Sequence, residues 1–72
     1  MTMQLRIRDM REDADLTQQQ VAAYLHCDQS LYSKYERGER AIPLSAMIEL
    51  AKLYKTSVDY LAGLTAQRKP YP

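Results

Sequence analysis

Gln29, Ser30, Ser33, Lys34 and Arg37 recur at steps of one, three and four residues. On a helix this spacing gathers them into one hydrogen-bonding stripe, opposite the side that carries Tyr32 and Tyr35. Their chemistry suits the base edges of a major groove. Glutamine both donates to and accepts from adenine, serine bonds either kind of edge, and lysine donates to guanine or to phosphate. Arg37 and Arg40, just past the end of such a helix, suit phosphate. Thr17 and Gln18 stand at the start of the preceding helix, where exposed amides form a weakly positive end. A solvated helix face would show the same polar pattern, and Glu36 and Glu39 are placed to neutralise the basic residues.

Other chemistry is poorly served. His26-Cys27-Asp28 holds a nucleophile, a base and an acid, but three consecutive residues at a turn point in different directions, so no catalytic residue and no enzyme are expected. Cys27 is the single cysteine. It allows no internal disulfide and no zinc set, fits a reducing cytoplasm, and is expected to pack as a small apolar residue. No metal and no cofactor are expected. The carboxylates of Glu12, Asp13 and Asp15 lack a second cluster and read as a solvated face. Met10, Met47, Tyr32, Tyr35 and Tyr54 lie on stripes expected to be core. The formal net charge of +1 leaves any polyanionic partner to be argued from local charge placement.

A chain of 72 residues supplies one compact unit. Alanine and leucine account for 17 residues against five for valine and isoleucine, which favours an all-α fold. Five helices are expected. Met3, Ile7, Met10 and Ala14 predict the first over 3–14, with Asp15 turning after it. Thr17 with Gln20 forms a capping box for the second, Leu16 can staple to Val21, and the helix stops at His26-Cys27. Asp28 caps the third, over 29–36, with Cys27 stapling to Tyr32 and Gly38 closing it. Leu44, Met47, Ile48, Leu50, Ala51 and Tyr54 give the fourth a broad apolar stripe, with Pro43 in its first turn. Ser57 caps the fifth, over 58–62, Thr56 can staple to Leu61, and Gly63 ends it. Residues 1–64 are thus expected as the domain and 65–72 as a flexible tail. The longest apolar run, Val21 to Leu25, is far short of the roughly 20 residues of a bilayer span, and the start MTMQLRIRD has no secretory segment. Neither membrane insertion nor a separate effector domain is expected.

Two short helices joined by a tight turn, Thr17 to Gly38, have the spacing of a helix-turn-helix. Thr17-Gln18, Ala22, Gln29-Ser30, Tyr35-Glu36-Arg37-Gly38 and Ser57-Val58-Asp59-Tyr60-Leu61 together resemble the phage lambda repressor and Cro-like family, with its xenobiotic-response-element regulators. The resemblance covers nearly the whole chain. It implies a five-helix lambda-repressor-like domain whose third helix enters the major groove. The expected function is that of a sequence-specific regulator, usually a repressor, that binds double-stranded operator DNA as a homodimer in a bacterial or phage-infected cytoplasm, at the nucleoid. The resemblance further implies that Gln18 holds a phosphate and braces Gln29, that Gln29, Ser30 and Lys34 read bases, and that Arg11 pairs with Glu36 to tie the first helix to the third. Two residues depart from the family pattern: His26 stands where glycine is usual in the turn, and Leu31 is apolar where small or polar residues are common. Ile42, Val58, Tyr60 and Leu64 either form a dimer surface or complete the monomer core. The alternative function is an antitoxin or accessory protein of the same fold that acts mainly through a protein partner.

Overall fold

Side-chain caps mark the starts of two helices. The computed structural model describes residues 5–68, with helices α1 (Ile7–Asp13), α2 (Gln18–Tyr24), α3 (Gln29–Arg37), α4 (Leu44–Leu53) and α5 (Val58–Leu61), and no strand among the described residues. At α2 the Thr17 hydroxyl accepts the Gln20 amide (3.1 Å) while the Gln20 side chain accepts the Thr17 amide (2.8 Å), a complete capping box. Ser57 caps α5 through the Tyr60 amide (3.0 Å). Asp28 holds the cap position of α3 with extended backbone, but its side chain makes no capping bond.

The first helix is shorter than its apolar spacing suggests. Leu5 and Arg6 are not helical, and α1 begins at Ile7; Met3 lies outside the described residues. Arg6 is instead engaged with the far end of the chain. Its amide donates to the Leu61 carbonyl (2.9 Å), and its guanidinium donates to the carbonyls of Tyr60 (3.0 Å) and Thr65 (2.6 Å) while stacking on the Tyr60 ring. Those bonds hold the backbone in a course that a continuing helix would not follow. Of the tail expected after Leu64, residues 65–68 also touch the body: the Thr56 hydroxyl donates to the Arg68 carbonyl, and Arg68 lies 3.8 Å from Asp13. Residues 69–72 lie outside the described residues.

All five helices end alike. One or two residues past the last helical residue the backbone turns left-handed, and the amide after that residue reaches back five residues: Leu16 to Arg11, Cys27 to Ala22, Glu39 to Lys34, Thr56 to Ala51 and Leu64 to Asp59. This is the Schellman closure, usually built on glycine. Here only Gly38 and Gly63 are glycine; Asp15, His26 and Lys55 adopt φ of 57°, 59° and 54°. The left-handed geometry costs such residues about 1 kcal/mol each.

Ile7, Met10, Val21, Ala22, Tyr32, Tyr35, Met47, Leu50, Ala51 and Leu61 form one core. The α4 stripe is narrower than its composition suggests. Met47, Leu50 and Ala51 are buried, but Leu44 is 67% exposed and Ile48 40% exposed. Ile48 sits 100° around the helix from Met47, and Leu44 occupies the first turn, so both lie on a flank that the other helices do not reach.

Candidate nucleic-acid interface

The tight turn after α2 sets the position of α3. His26 takes the left-handed conformation, its amide bonds Ala23 (3.1 Å), and the chain enters α3 three residues later, at Gln29. Burial of Tyr32 and Tyr35 then fixes the rotation of α3, because their side faces the core. Gln29, Ser30, Lys34 and Arg37 are left exposed and Ser33 half-exposed. Gln18, Gln29, Ser30, Ser33, Lys34 and Arg37 line one shallow depression of about 380 Å³. Two larger open hollows lie elsewhere, one beside Tyr24, Cys27 and Glu49, the other beside Arg8, Asp9 and Gly38. Neither contains Gln29, Ser30 or Lys34.

Thr17 and Arg40 lie outside the depression. The Thr17 hydroxyl serves the cap of α2. Arg40 is exposed in the loop after α3, and neither it nor Lys34 has an ion pair among the described residues. Leu31 is half-buried against the core, as a covering residue would be. Cys27 is half-buried, and burial, then the charge of Asp28, push its thiol pKa up, the opposite of nucleophile activation.

Behind the depression lies a buried electrostatic network. Arg11 grips Glu36 with two nitrogens, Nε to Oε2 at 2.6 Å and Nη2 to Oε1 at 3.2 Å, while its Nη1 donates to the Leu16 carbonyl (2.8 Å). The side chains are 13% and 2% exposed, so the pair is shielded from solvent. Gln18 donates from Nε2 to Glu36 Oε1 at 3.0 Å. This corrects one expectation, since the Gln18 amide braces Glu36 and not Gln29. The carboxylate attracts the amide because it is charged and still has an open lone pair, whereas Gln29 would offer a neutral partner in water.

Burial alone would raise the Glu36 pKa, but the Arg11 hydrogen bonds, the proximity of the Tyr32 hydroxyl, the Gln18 hydrogen bond and the charge of Arg11 hold it below the ordinary 4.5. The hydroxyls of Tyr32 and Tyr54 are buried without a standard hydrogen bond. Burial first, and then Glu36, push Tyr32 far upward and Tyr54 up to about 12. The unfolded chain therefore binds the Glu36 proton at a higher pH than the folded one does. The stability from Glu36 is complete above about pH 4.5 and is lost as pH falls through the lower folded value. The tyrosines act oppositely: their contribution is complete below 10.0 and is lost as pH rises, for Tyr54 through about 12. Urea unfolding across pH should show both limbs, with Glu36→Gln flattening the acid one; an unchanged acid limb would exclude Glu36 as its source.

Arg37 is engaged at the rim of the depression. Its Nε pairs with Glu39 and its Nη1 donates to Ser33 Oγ, all three groups being at least partly open to solvent. The Ser33–Arg37 contact follows from i, i+4 spacing, a signal present in the sequence that the stripe reading overlooked.

The family model described as helix-turn-helix matches residues 7–61, from the first residue of α1 to the last of α5. The chain is a member of the helix-turn-helix family. Similar proteins include the HTH-type transcriptional regulators YobD, 38% identical over 90% of this chain, and ImmR, 33% identical over 88%, both from Bacillus subtilis. The cryptic phage CTXphi transcriptional repressor RstR of Vibrio cholerae is 37% identical over 81% of this chain. The aligned parts make up 58%, 50% and 52% of those proteins, so the chain spans about half the length of the curated relatives it matches. No solved structure matches significantly.

In this helix-turn-helix chain, Ile42, Val58 and Tyr60 are half-buried against the core, and Tyr60 also carries Arg6 on its ring at 4.3 Å. Leu64 is 73% exposed. Much of the apolar area expected for a dimer surface is thus spent inside the monomer. Leu44, Ile48 and Tyr24 are the other large apolar side chains left open among the described residues. None of the helices is long and apolar enough to cross a membrane, and no group of residues suited to a metal ion occurs, both among the described residues.

Proposed function

We propose that this helix-turn-helix protein is a transcriptional regulator, acting as a repressor, that binds operator DNA with α3 in the major groove. The observation that carries this reading is the convergence of Gln29, Ser30, Ser33 and Lys34 with Gln18 and Arg37 on one exposed depression, backed by buried Tyr32 and Tyr35. An incidental polar face would have no need of a rigid support. Here Glu36 and Arg11 fix α3 against α1 and α2 from behind. Gln29 and Ser30, at the N-terminal end of α3, are the base readers and Lys34 reads one turn further on. Gln18, Arg37, Arg40 and the amides beside Thr17 hold phosphates. The repressor and regulator names of the similar proteins support the same reading.

One recognition helix reads only a few base pairs, so two copies are required for useful specificity, and a homodimer supplies them. Ile42, Val58, Tyr60 and Leu64 are the residues assigned to its surface, with Leu64 the most exposed contributor. The protein acts in the bacterial cytoplasm, where its DNA lies. Selection of bound duplexes from a random pool tests the proposal. The expected result is an inverted repeat with half-site centres about 34 Å apart, the spacing of phage repressor sites. A pool with no enrichment after repeated rounds would refute it.

A further inference from the structure

Glu39 stands two residues past the last residue of α3, where nothing in the fold requires a carboxylate. Gly38 turns the chain, and the Glu39 amide completes the closure by donating to the Lys34 carbonyl (2.9 Å), a role that any residue other than proline can fill. The same closure brings its side chain back over the last turn of α3, where the carboxylate pairs with Arg37 Nε. On its other side Arg37 is steadied by Ser33 Oγ, and both Arg37 and Ser33 line the depression assigned to DNA. Glu39 is thus a negatively charged oxygen ligand on a guanidinium assigned to phosphate, and it is attached by two residues of chain. Carboxylate and phosphate compete for the same N–H donors, and an exposed carboxylate is displaced at small cost.

We propose that Glu39 is a built-in competitor of the DNA backbone, occupying the Arg37 phosphate site in the free protein and yielding it only when duplex is bound. The inference rests on the DNA-binding reading and goes beyond it. Glu39 touches no base and lowers affinity for every duplex equally. Its effect runs through a phosphate contact that operator and random duplex share, and so leaves the ratio of their affinities in place. Glu39 acts through Arg37 and is a positioning residue in this sense. The hydrogen bond from Arg37, then the charges of Arg37 and Lys34, also hold its carboxyl below the ordinary carboxylate pKa, so it is ionised wherever the protein meets DNA.

The test is a double-mutant cycle read by fluorescence anisotropy on a labelled random-sequence duplex and on a duplex enriched from the random pool, at several salt concentrations. Glu39→Gln should tighten both by about three- to fivefold at low salt, with the gain shrinking as salt rises. In an Arg37→Ala background the same change should give less than half that gain, leaving only the part that acts through Lys34. Equal gains in the two backgrounds would reduce Glu39 to bulk negative charge and overturn the inference, as would an unchanged affinity, while operator binding by the parent protein would keep the DNA-binding reading intact. Failure of the parent and of Glu39→Gln to bind any duplex at low salt would overturn the DNA-binding reading and this inference together. Far-UV circular dichroism and thermal midpoints should match across the four proteins, because both side chains are exposed.

Discussion

Arg11→Ala should cost the domain about 3–5 kcal/mol, the usual penalty for stranding one charge of a buried pair. A 72-residue domain commonly has a total stability of only roughly 4–11 kcal/mol, so this one change should leave much of the protein unfolded at physiological temperature. The size of the effect follows from what remains. Glu36 is 2% exposed and loses both of its guanidinium contacts, keeping only the neutral Gln18 amide, while the Leu16 carbonyl loses its donor as well. Arg11→Lys should retain part of the charge interaction but cannot reproduce the fork. Arg11→Met combined with Glu36→Leu should recover a large part of the loss, because the pair is worth less than the penalty of breaking it. Urea titrations of these variants measure the prediction directly, and a loss below about 1 kcal/mol for Arg11→Ala would mean that Glu36 is hydrated and the network does not tie α1 to α3.

What the sequence could disclose follows from how local each signal is. Thr17 with Gln20, and Ser57 before its short helix, bond to groups three residues away, so their type and spacing sufficed to place α2 and α5. Gly38 and Gly63 announced left-handed closures for the same reason, and Asp15 is tolerant enough to be suspected; Lys55 gave no signal, since nothing in a lysine side chain prefers that backbone. The start of α1 was misplaced because its limit is nonlocal. Arg6 is held by carbonyls 54 and 59 residues away, while Met3, Ile7 and Met10 continued to satisfy a helical period. The α4 flank failed similarly: periodicity counted Leu44 and Ile48 as inward, but whether a flank is covered depends on where α5 and the body end. Around the depression, the exposed stripe and the Ser33–Arg37 contact follow from spacing alone, whereas the acceptor of Gln18 and the choice of Glu39 by Arg37 do not. Each side chain chooses among several acceptors within reach, and the choice is settled by charge and burial that appear only once α2, α3 and the following loop are packed together.

Gln29→Ala should weaken binding to the selected operator by about 1–3 kcal/mol, roughly five- to more than a hundredfold, while leaving affinity for random duplex nearly unchanged. The asymmetry comes from position. Gln29 is the first residue of α3, exposed and free of structural hydrogen bonds among the described residues, so truncation removes a bidentate donor and acceptor without disturbing the core. Operator preference should relax at one base position in each half-site, symmetrically, because both copies of a dimer lose the contact. Arg37→Ala supplies the contrast: it should weaken operator and random duplex alike and reduce the slope of log affinity against log salt by about one for each phosphate released. Lys34→Ala should fall between them, since its ammonium can serve guanine or phosphate. Competition binding with operators altered one base pair at a time would resolve the three behaviours. If Gln29→Ala lost affinity uniformly across all duplexes, the side chain would be holding backbone and not reading bases, and the N-terminal end of α3 would have to lie across the groove instead of within it.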